Sequence, residues 1–304
     1  MRRLLVVDFA NLAHRAYFAG RGNPVAAPDG RPVFLVATFL RMVLARIRDE
    51  RATHVALAFE STTGSRRREL HPEYKPRKPG EPDDLVPQLR EANIAAGRLG
   101  WARYRAEGWE ADDAMAGIAD AAVAAGFDEV LLLTGDHDLL GVVSERVSVL
   151  MPRTGGVFER FGPAEVEERS PYRVSPDRVA DVKALIGDAT DGYGGVRGIG
   201  PAAGPDLIRR FGSVGALYER IDEVEAPGVR ARLIAGREDA LRCLDLATLR
   251  RHAPLSPAFD PGAGQVGSHD QERAAAWLRA MGLPELIRAL PAAALPGPGT
   301  APRD

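Results

Sequence analysis

One cysteine, Cys243, stands in 304 residues. No internal disulfide can form, no zinc site can be built on thiolates, and the usage fits a reducing, cytoplasmic compartment. Long apolar runs are missing as well: near the N-terminus Leu4–Val7 is cut off by Asp8, well short of a signal-peptide core or a membrane span. Excess charge is a third absence. Forty basic residues against 42 acidic ones leave a net charge of −2, so bulk charge does not announce a nucleic-acid partner. No internal repeat is present. What remains is the balance of a soluble globular chain, 45% hydrophobic and 27% charged, long enough for an α/β domain with a smaller helical companion.

Apolar periodicity predicts alternating elements over the first half. Strands are expected at Leu4–Val7, His54–Phe59, Ala102–Arg105, Val130–Leu133 and Val147–Leu150, and helices at Asn11–Ala19, Val33–Asp49, Asp83–Leu99 and Glu110–Ala125. Gly155-Gly156 reads as a hairpin turn. Such alternation implies a mostly parallel sheet covered on both faces. From about Ser175 short helices separated by Gly and Pro take over. The expected domains are therefore 1–174, α/β, and 175–290, helical, followed by a disordered tail, 291–304, rich in Ala, Pro and Gly.

In open parallel sheets chemistry sits at the carboxyl ends of strands. Asp8, Glu60 and the Asp136/Asp138 pair each follow an apolar run, while Glu110, Asp112 and Asp113 open the helix after another strand. Asp188 and Asp191, in Gly187-Asp188-Ala189-Thr190-Asp191-Gly192, interrupt a helical run. Each acid alone also reads as a turn former or helix cap. Together they are nine, and at an effective dielectric of ~20 each close pair costs several kcal/mol. Divalent cations relieve that repulsion. Oxygen ligands without Cys or paired His select Mg²⁺ or Mn²⁺, and two such ions ~4 Å apart support phosphodiester cleavage.

Charge is also segregated. Arg66, Arg67, Arg68, Lys75, Arg77 and Lys78 crowd into a proline-broken stretch with Tyr74, which reads either as a solvated loop or as a grip on phosphates with a ring for base stacking. Gly198-Ile199-Gly200 misses the dinucleotide spacing and follows no strand, so a nucleotide cofactor is not expected. A glycine turn between two helices can instead hold a DNA phosphate on backbone N–H groups, or be a plain tight turn.

With Glu110-Ala111-Asp112-Asp113, Thr134-Gly135-Asp136-His137-Asp138-Leu139-Leu140, and Gly187-Asp188 through Asp191 to Gly198-Ile199-Gly200 in this order, the chain resembles the 5′ nuclease (flap endonuclease) family, which includes the N-terminal domain of bacterial DNA polymerase I. The resemblance runs from Leu4 to about Phe211. It implies a PIN-like sheet, a basic helical arch over the active site and a helix-hairpin-helix element on duplex DNA. Carried over by position, Asp8, Glu60, Asp112 and Asp113 serve one metal ion with Glu110 beside them, and Asp136, Asp138, Asp188 and Asp191 the second. Lys75 matches the arch lysine and is expected, with Asp112 and Asp136, to be catalytic. Arg15, Arg67, Tyr74, Arg77, Lys78, Gly198, Ile199 and Gly200 are expected on DNA, and the glycine turn admits a K⁺ ion.

The chain departs from the family pattern at Phe9 (usually Gly), Glu60 (Asp), Lys78 (Arg), His137 (Lys or Arg), Gly141 (Gln) and Ala202 (Lys). Pro205 falls where a helix should run and is expected to delay or kink it. The implied protein is a free-standing, monomeric, cytoplasmic 5′-3′ exonuclease or flap endonuclease of DNA replication or repair, functionally linked to a polymerase. Two other readings stand beside it: a non-catalytic DNA-junction binder that loads metal poorly, and a PIN-type ribonuclease.

Overall fold

Strand β1 (Arg3–Asp8) occupies the middle of the sheet because its four central residues, Leu4 to Val7, are apolar and buried. The computed structural model describes residues 1–75, 80 and 82–293. After β1 come α1 (Phe9–Gly20), α2 (Phe34–Asp49), β2 (His54–Phe59), α3 (Arg66–Leu70), α4 (Leu85–Arg98), β3 (Ala102–Ala106), α5 (Ala111–Ala124), β4 (Glu129–Leu133), β5 (Val147–Pro152) and β6 (Phe158–Phe161). The second half supplies α6 (Pro163–Arg169), α7 (Val179–Ile186), α8 (Ala203–Phe211), α9 (Val214–Glu219), α10 (Pro227–Ala235), α11 (Arg237–Ala247), β7 (Leu255–Ser256) and α12 (Gln271–Ala280).

Among the described residues the sheet order is β6-β5-β4-β1-β2-β3-β7. The five inner strands are parallel, and the edge strands β6 and β7 are antiparallel to their neighbours. Alternate residues face opposite layers: Leu4, Val6, Val130 and Leu132 pack with α5 and α7, while Leu5, Val7, Leu131 and Leu133 pack with α1, α2 and α4. Each such side chain contributes about 1.5–3 kcal/mol of burial, which fixes the register against a one-residue slip. The chain runs outward from β1 to β3, then returns to β4 on β1's other side. That reversal opens a crevice at the carboxyl ends of β1 and β4.

The predicted strands and helices of the first half are all present within a few residues of their expected bounds. Gly155 and Gly156, both at positive φ, turn β5 into β6. Two expectations meet a different arrangement in the structure. The helical companion does not extend to 290: β7 pairs with β3, and Ala274, Leu278, Met281, Leu283 and Leu286 join the core beneath α2. Five apolar positions on a short C-terminal helix and turn need a face to cover, and α2 offers one. Pro205 neither delays nor kinks α8, because it sits in the first turn, where an N–H has no intrahelical partner. Of the expected arch, the described residues hold only the five-residue α3; Arg77 and Lys78 lie outside the described residues, as does the expected tail beyond residue 293. No helix among the described residues is long and apolar enough to cross a membrane.

Candidate active site

At the sheet's carboxyl edge a cavity of about 990 Å³ is lined by Asp8, Glu60, Asp112 and Asp136 together with Lys75, Asn11, His14 and Arg15. Each acid arrives on a different strand exit. Asp8 ends β1 and caps α1: one carboxylate oxygen accepts from the Asn11 amide at 3.1 Å, the other from the Thr134 hydroxyl at 2.8 Å. Glu60 follows β2 directly and accepts from the Ala111 amide at 3.2 Å. Asp112 lies in the first turn of α5, where the helix N-terminus favours negative charge. Asp136 follows β4, its amide donating to the Thr134 hydroxyl oxygen at 3.0 Å and its carboxylate accepting from the Asp138 amide at 2.9 Å.

Burial and mutual repulsion raise these groups. Burial first, then Asp136, push Asp8 up to about 6 against the hydrogen bonds from Asn11 and Thr134. Glu60 is pushed up to about 7 by burial and by Glu110, and Asp112 well above the ordinary range by burial, Asp136 and Asp8. Carboxylates crowded in this way prefer either a proton or a cation.

Gly135, between Thr134 and Asp136, leaves room for the Arg15 guanidinium, which any side chain there would displace. A Cβ there would stand 2.3 Å from an Arg15 guanidinium nitrogen, and Asn11 Oδ1 accepts from both the Gly135 amide and Arg15 Nε at 3.1 Å. Arg15 therefore lies flat over the loop that carries Asp136. Sequence reasoning missed Asn11 and Thr134, although Asn11 stands three residues after Asp8, the spacing of a cap and its partner.

Asp138, Asp188 and Asp191 form a second group, adjoining the first without lining its cavity. Lys183, buried on α7, binds both Asp138 and Asp188, the latter at 2.7 Å. Burial raises Asp138 to about 7 although Lys183 opposes it. In Asp188 burial is outweighed by Lys183 and by the Thr190 and Asp191 amides, which lower it. Asp191 is raised by burial, with Lys75 and Lys183 opposing. Gly187 makes this turn possible: its φ is +79°, and a Cβ would lie 2.5 Å from the Gly194 carbonyl carbon. Lys183 was not singled out from sequence, where a lone lysine in a helix reads as surface.

Lys75 joins the two groups. Its ammonium bonds Glu110 Oε2 at 3.1 Å and lies 3.9 Å from Asp191, and its amide donates to the Asp191 carbonyl at 2.8 Å. Burial works against its charge, but Glu110, Asp112 and Asp191 outweigh it and raise its pKa.

Three of the expected site residues have protein partners in this structure. Asp113 faces away from the cavity, holding Arg67 in a two-pronged pair at 2.5 and 2.8 Å and accepting from the Glu110 and Arg250 amides at 3.0 and 2.7 Å. These four donors use its acceptor capacity in this structure. Arg67, buried, donates also to the Leu246 and Thr248 carbonyls, tying α3 to the end of α11 rather than facing DNA. Tyr74 is 3% exposed, with its hydroxyl 2.9 Å from Glu110 and 3.2 Å from Asp191, and offers no face for a base. Glu110 is thus held by Tyr74 and Lys75 beside the cavity.

Among the described residues no three of these side chains already converge as a metal-ligand set. The acids reach neighbouring positions but turn toward Thr134, Lys75, Lys183 and Arg67. The donor set still fits a hard divalent cation: it is all oxygen, buried and self-repelling.

The glycine turn lies between α7 and α8. Gly198 has φ +84°, Ile199 is buried, and the Gly200 carbonyl accepts from the Gly204 amide at 2.9 Å as α8 begins. Arg232 of α10 lies against Gly198 and reaches its carbonyl at 3.4 Å.

Comparison with known proteins agrees with this geometry. The model of the 5′-3′ exonuclease N-terminal, resolvase-like domain matches residues 3–170, and that of the 5′-3′ exonuclease C-terminal SAM fold matches 174–272. The thermostable DNA polymerase I of Thermus filiformis is 35% identical over 258 residues, covering 85% of this chain and 30% of the relative; DNA polymerase I of Mycobacterium bovis is 33% identical over 258 residues, covering 84% and 28%. The chain thus spans under a third of the length of these relatives. In fold it is similar to T5 5′-exonuclease with bound zinc (20% identity, TM-score 0.67, 95% of this chain and 99% of the other) and to the catalytic core of Rad2 in complex with DNA (15%, 0.58, 92% and 86%). Two domain models matched in tandem over most of its length show that the chain belongs to the 5′-3′ exonuclease family.

Proposed function

We propose that this chain is a divalent-metal-dependent 5′ nuclease that removes nucleotides or short flaps from 5′ ends in nicked or branched DNA by a two-metal-ion mechanism. The observation that carries the reading is the convergence of Asp8, Glu60, Asp112 and Asp136, from four successive strand exits, on one cavity that also holds Lys75. Asp8, Glu60, Asp112 and Asp136 would hold one Mg²⁺ or Mn²⁺ ion, and Asp138, Asp188 and Asp191 the other, with Glu110 beside them. When bound, such ions activate water and stabilise the departing oxygen.

The chain's own residues do the rest. Lys75, kept charged by Glu110 and Asp191, neutralises charge developing on the scissile phosphate. Arg15, lying over Gly135, supplies a guanidinium beside Asp136 for a neighbouring phosphate. Asn11 and Thr134 tie the Asp8 cap to the loop that carries Asp136, which keeps the two acids' backbones side by side. Arg77 and Lys78 add phosphate contacts, and the Gly198–Gly200 turn grips the duplex backbone, with or without K⁺. We read the protein as a cytoplasmic monomer that works beside a polymerase in replication or repair; the polymerase link rests on the relatives' being DNA polymerases I.

A 5′-labelled DNA flap incubated with the protein and Mg²⁺ should yield short labelled products, and Asp136→Asn should abolish them. An unimpaired Asp136→Asn would remove the assignment. Retention of flap DNA without cleavage would favour a junction binder, and faster cutting of RNA of equal geometry a ribonuclease.

A further inference from the structure

Two half-buried carboxylates sharing a buried ammonium is an unusual state for residues that a divalent cation could hold. Lys183 projects from the middle of α7, and Asp138 arrives from the loop after β4; both are buried or nearly so. The lysine Nζ reaches Asp138 Oδ1 and Asp188 Oδ2, two groups 50 residues apart in the chain, and lies 5.9 Å from the centre of the Tyr193 ring. Tyr193 is itself paired through its backbone to Asp188 and keeps a buried hydroxyl without a hydrogen-bond partner among the described residues. In the cavity of Asp8, Glu60, Asp112 and Asp136 the lysine is placed differently: Lys75 bonds Glu110 and faces Asp191.

We propose that Lys183 is a tethered counter-cation for the Asp138/Asp188/Asp191 group: it holds these carboxylates together when no divalent ion is present and competes with the second ion for them. Lys183 is thus a positioning residue that makes the second ion the weaker and later one to bind. Two like cations cannot share the same carboxylate oxygens without strong repulsion. The ammonium cannot swing to water from its buried place on α7, so the second ion must enter against it. A metal ion is released more easily where a fixed charge of the same sign stands by, which suits an ion that must be gained and lost with each substrate.

The inference rests on the nuclease reading, and Mn²⁺ alone serves as the probe. Mn²⁺ titration of the wild-type chain by calorimetry and by electron paramagnetic resonance should give two sites, the second at least about tenfold weaker. Lys183→Met keeps the length and removes the charge; it should tighten the second site by about tenfold or more and leave the first within about twofold. Lys183→Arg should restore the wild-type pattern. A second-site affinity that is unchanged or weaker in Lys183→Met overturns the proposal, with the nuclease reading intact. No Mn²⁺ binding by the wild-type chain overturns the nuclease reading and this inference with it. Should Lys183→Met not fold without metal, its melting temperature against Mn²⁺ concentration gives the readout: it should rise more steeply than the wild type's, and an equal or shallower rise contradicts the proposal.

Discussion

The two acidic groups differ in who balances their charge. Asp138 and Asp188 are neutralised from within by Lys183, buried on α7. Asp8, Glu60 and Asp112 face an open cavity, where burial and mutual repulsion raise them and Lys75, at the cavity wall, only partly opposes the rise. One group is an ion-pair network closed by the protein's own lysine. The other is strained until a cation arrives. The same residue type, placed within one crevice, can therefore serve structure or await a ligand according to the single basic residue a neighbouring helix delivers.

That contrast can be broken by substitution. Asp112→Asn should lower flap cleavage by about 10³-fold, since it removes an oxygen donor worth several kcal/mol to the transition state. Asp188→Asn should cost only about tenfold, because Lys183 remains to hold Asp138. Equal losses in single-turnover assays would erase the distinction between the groups. Lys75→Ala should lower kcat by about 10²-fold with KM little changed, as expected for a charge used mainly in the transition state. A rise in KM alone would make Lys75 a substrate-binding residue instead.

The smallest expected effect is on stability. Asp8 and Glu60 are raised to about 6 and about 7, whereas in the unfolded chain they return to ordinary values near 3.8 and 4.5. Between those values the folded chain binds more protons, so stability falls as pH rises through about 6 to 7. In EDTA the melting temperature should therefore drop by a few degrees from about pH 5.5 to about pH 8. Mg²⁺ should offset the drop, because it stabilises the ionised cavity acids. A melting temperature that rises over this interval in EDTA would show that the acids are not crowded.

Much of this was legible before the structure. Apolar runs ending in acid, at Val7-Asp8 and Phe59-Glu60, mark strand exits because a charged side chain cannot continue a buried strand. Glu110-Ala111-Asp112-Asp113 marks a helix start for a related electrostatic reason. Partner choice was not legible. Asp112 and Asp113 are adjacent in sequence, yet a helical step of about 100° sends one to the cavity and the other to Arg67. Tyr74 and Arg67 sit in a basic, proline-broken stretch that reads as exposed, but tertiary contacts with Asp113, Glu110 and Leu246 bury them. Lys183 shows the same limit, since its partners lie 45 and five residues away and only the fold brings both to one ammonium.

The central claim is that the cavity acids are a cation site. Crystals grown without metal and soaked in Mn²⁺ test it most directly by anomalous diffraction. The account expects a strong anomalous peak in the cavity bounded by Asp8, Glu60, Asp112 and Asp136, absent in Asp112→Asn crystals treated identically. A cavity with no peak at millimolar Mn²⁺, or a peak that persists unchanged in Asp112→Asn, would contradict it.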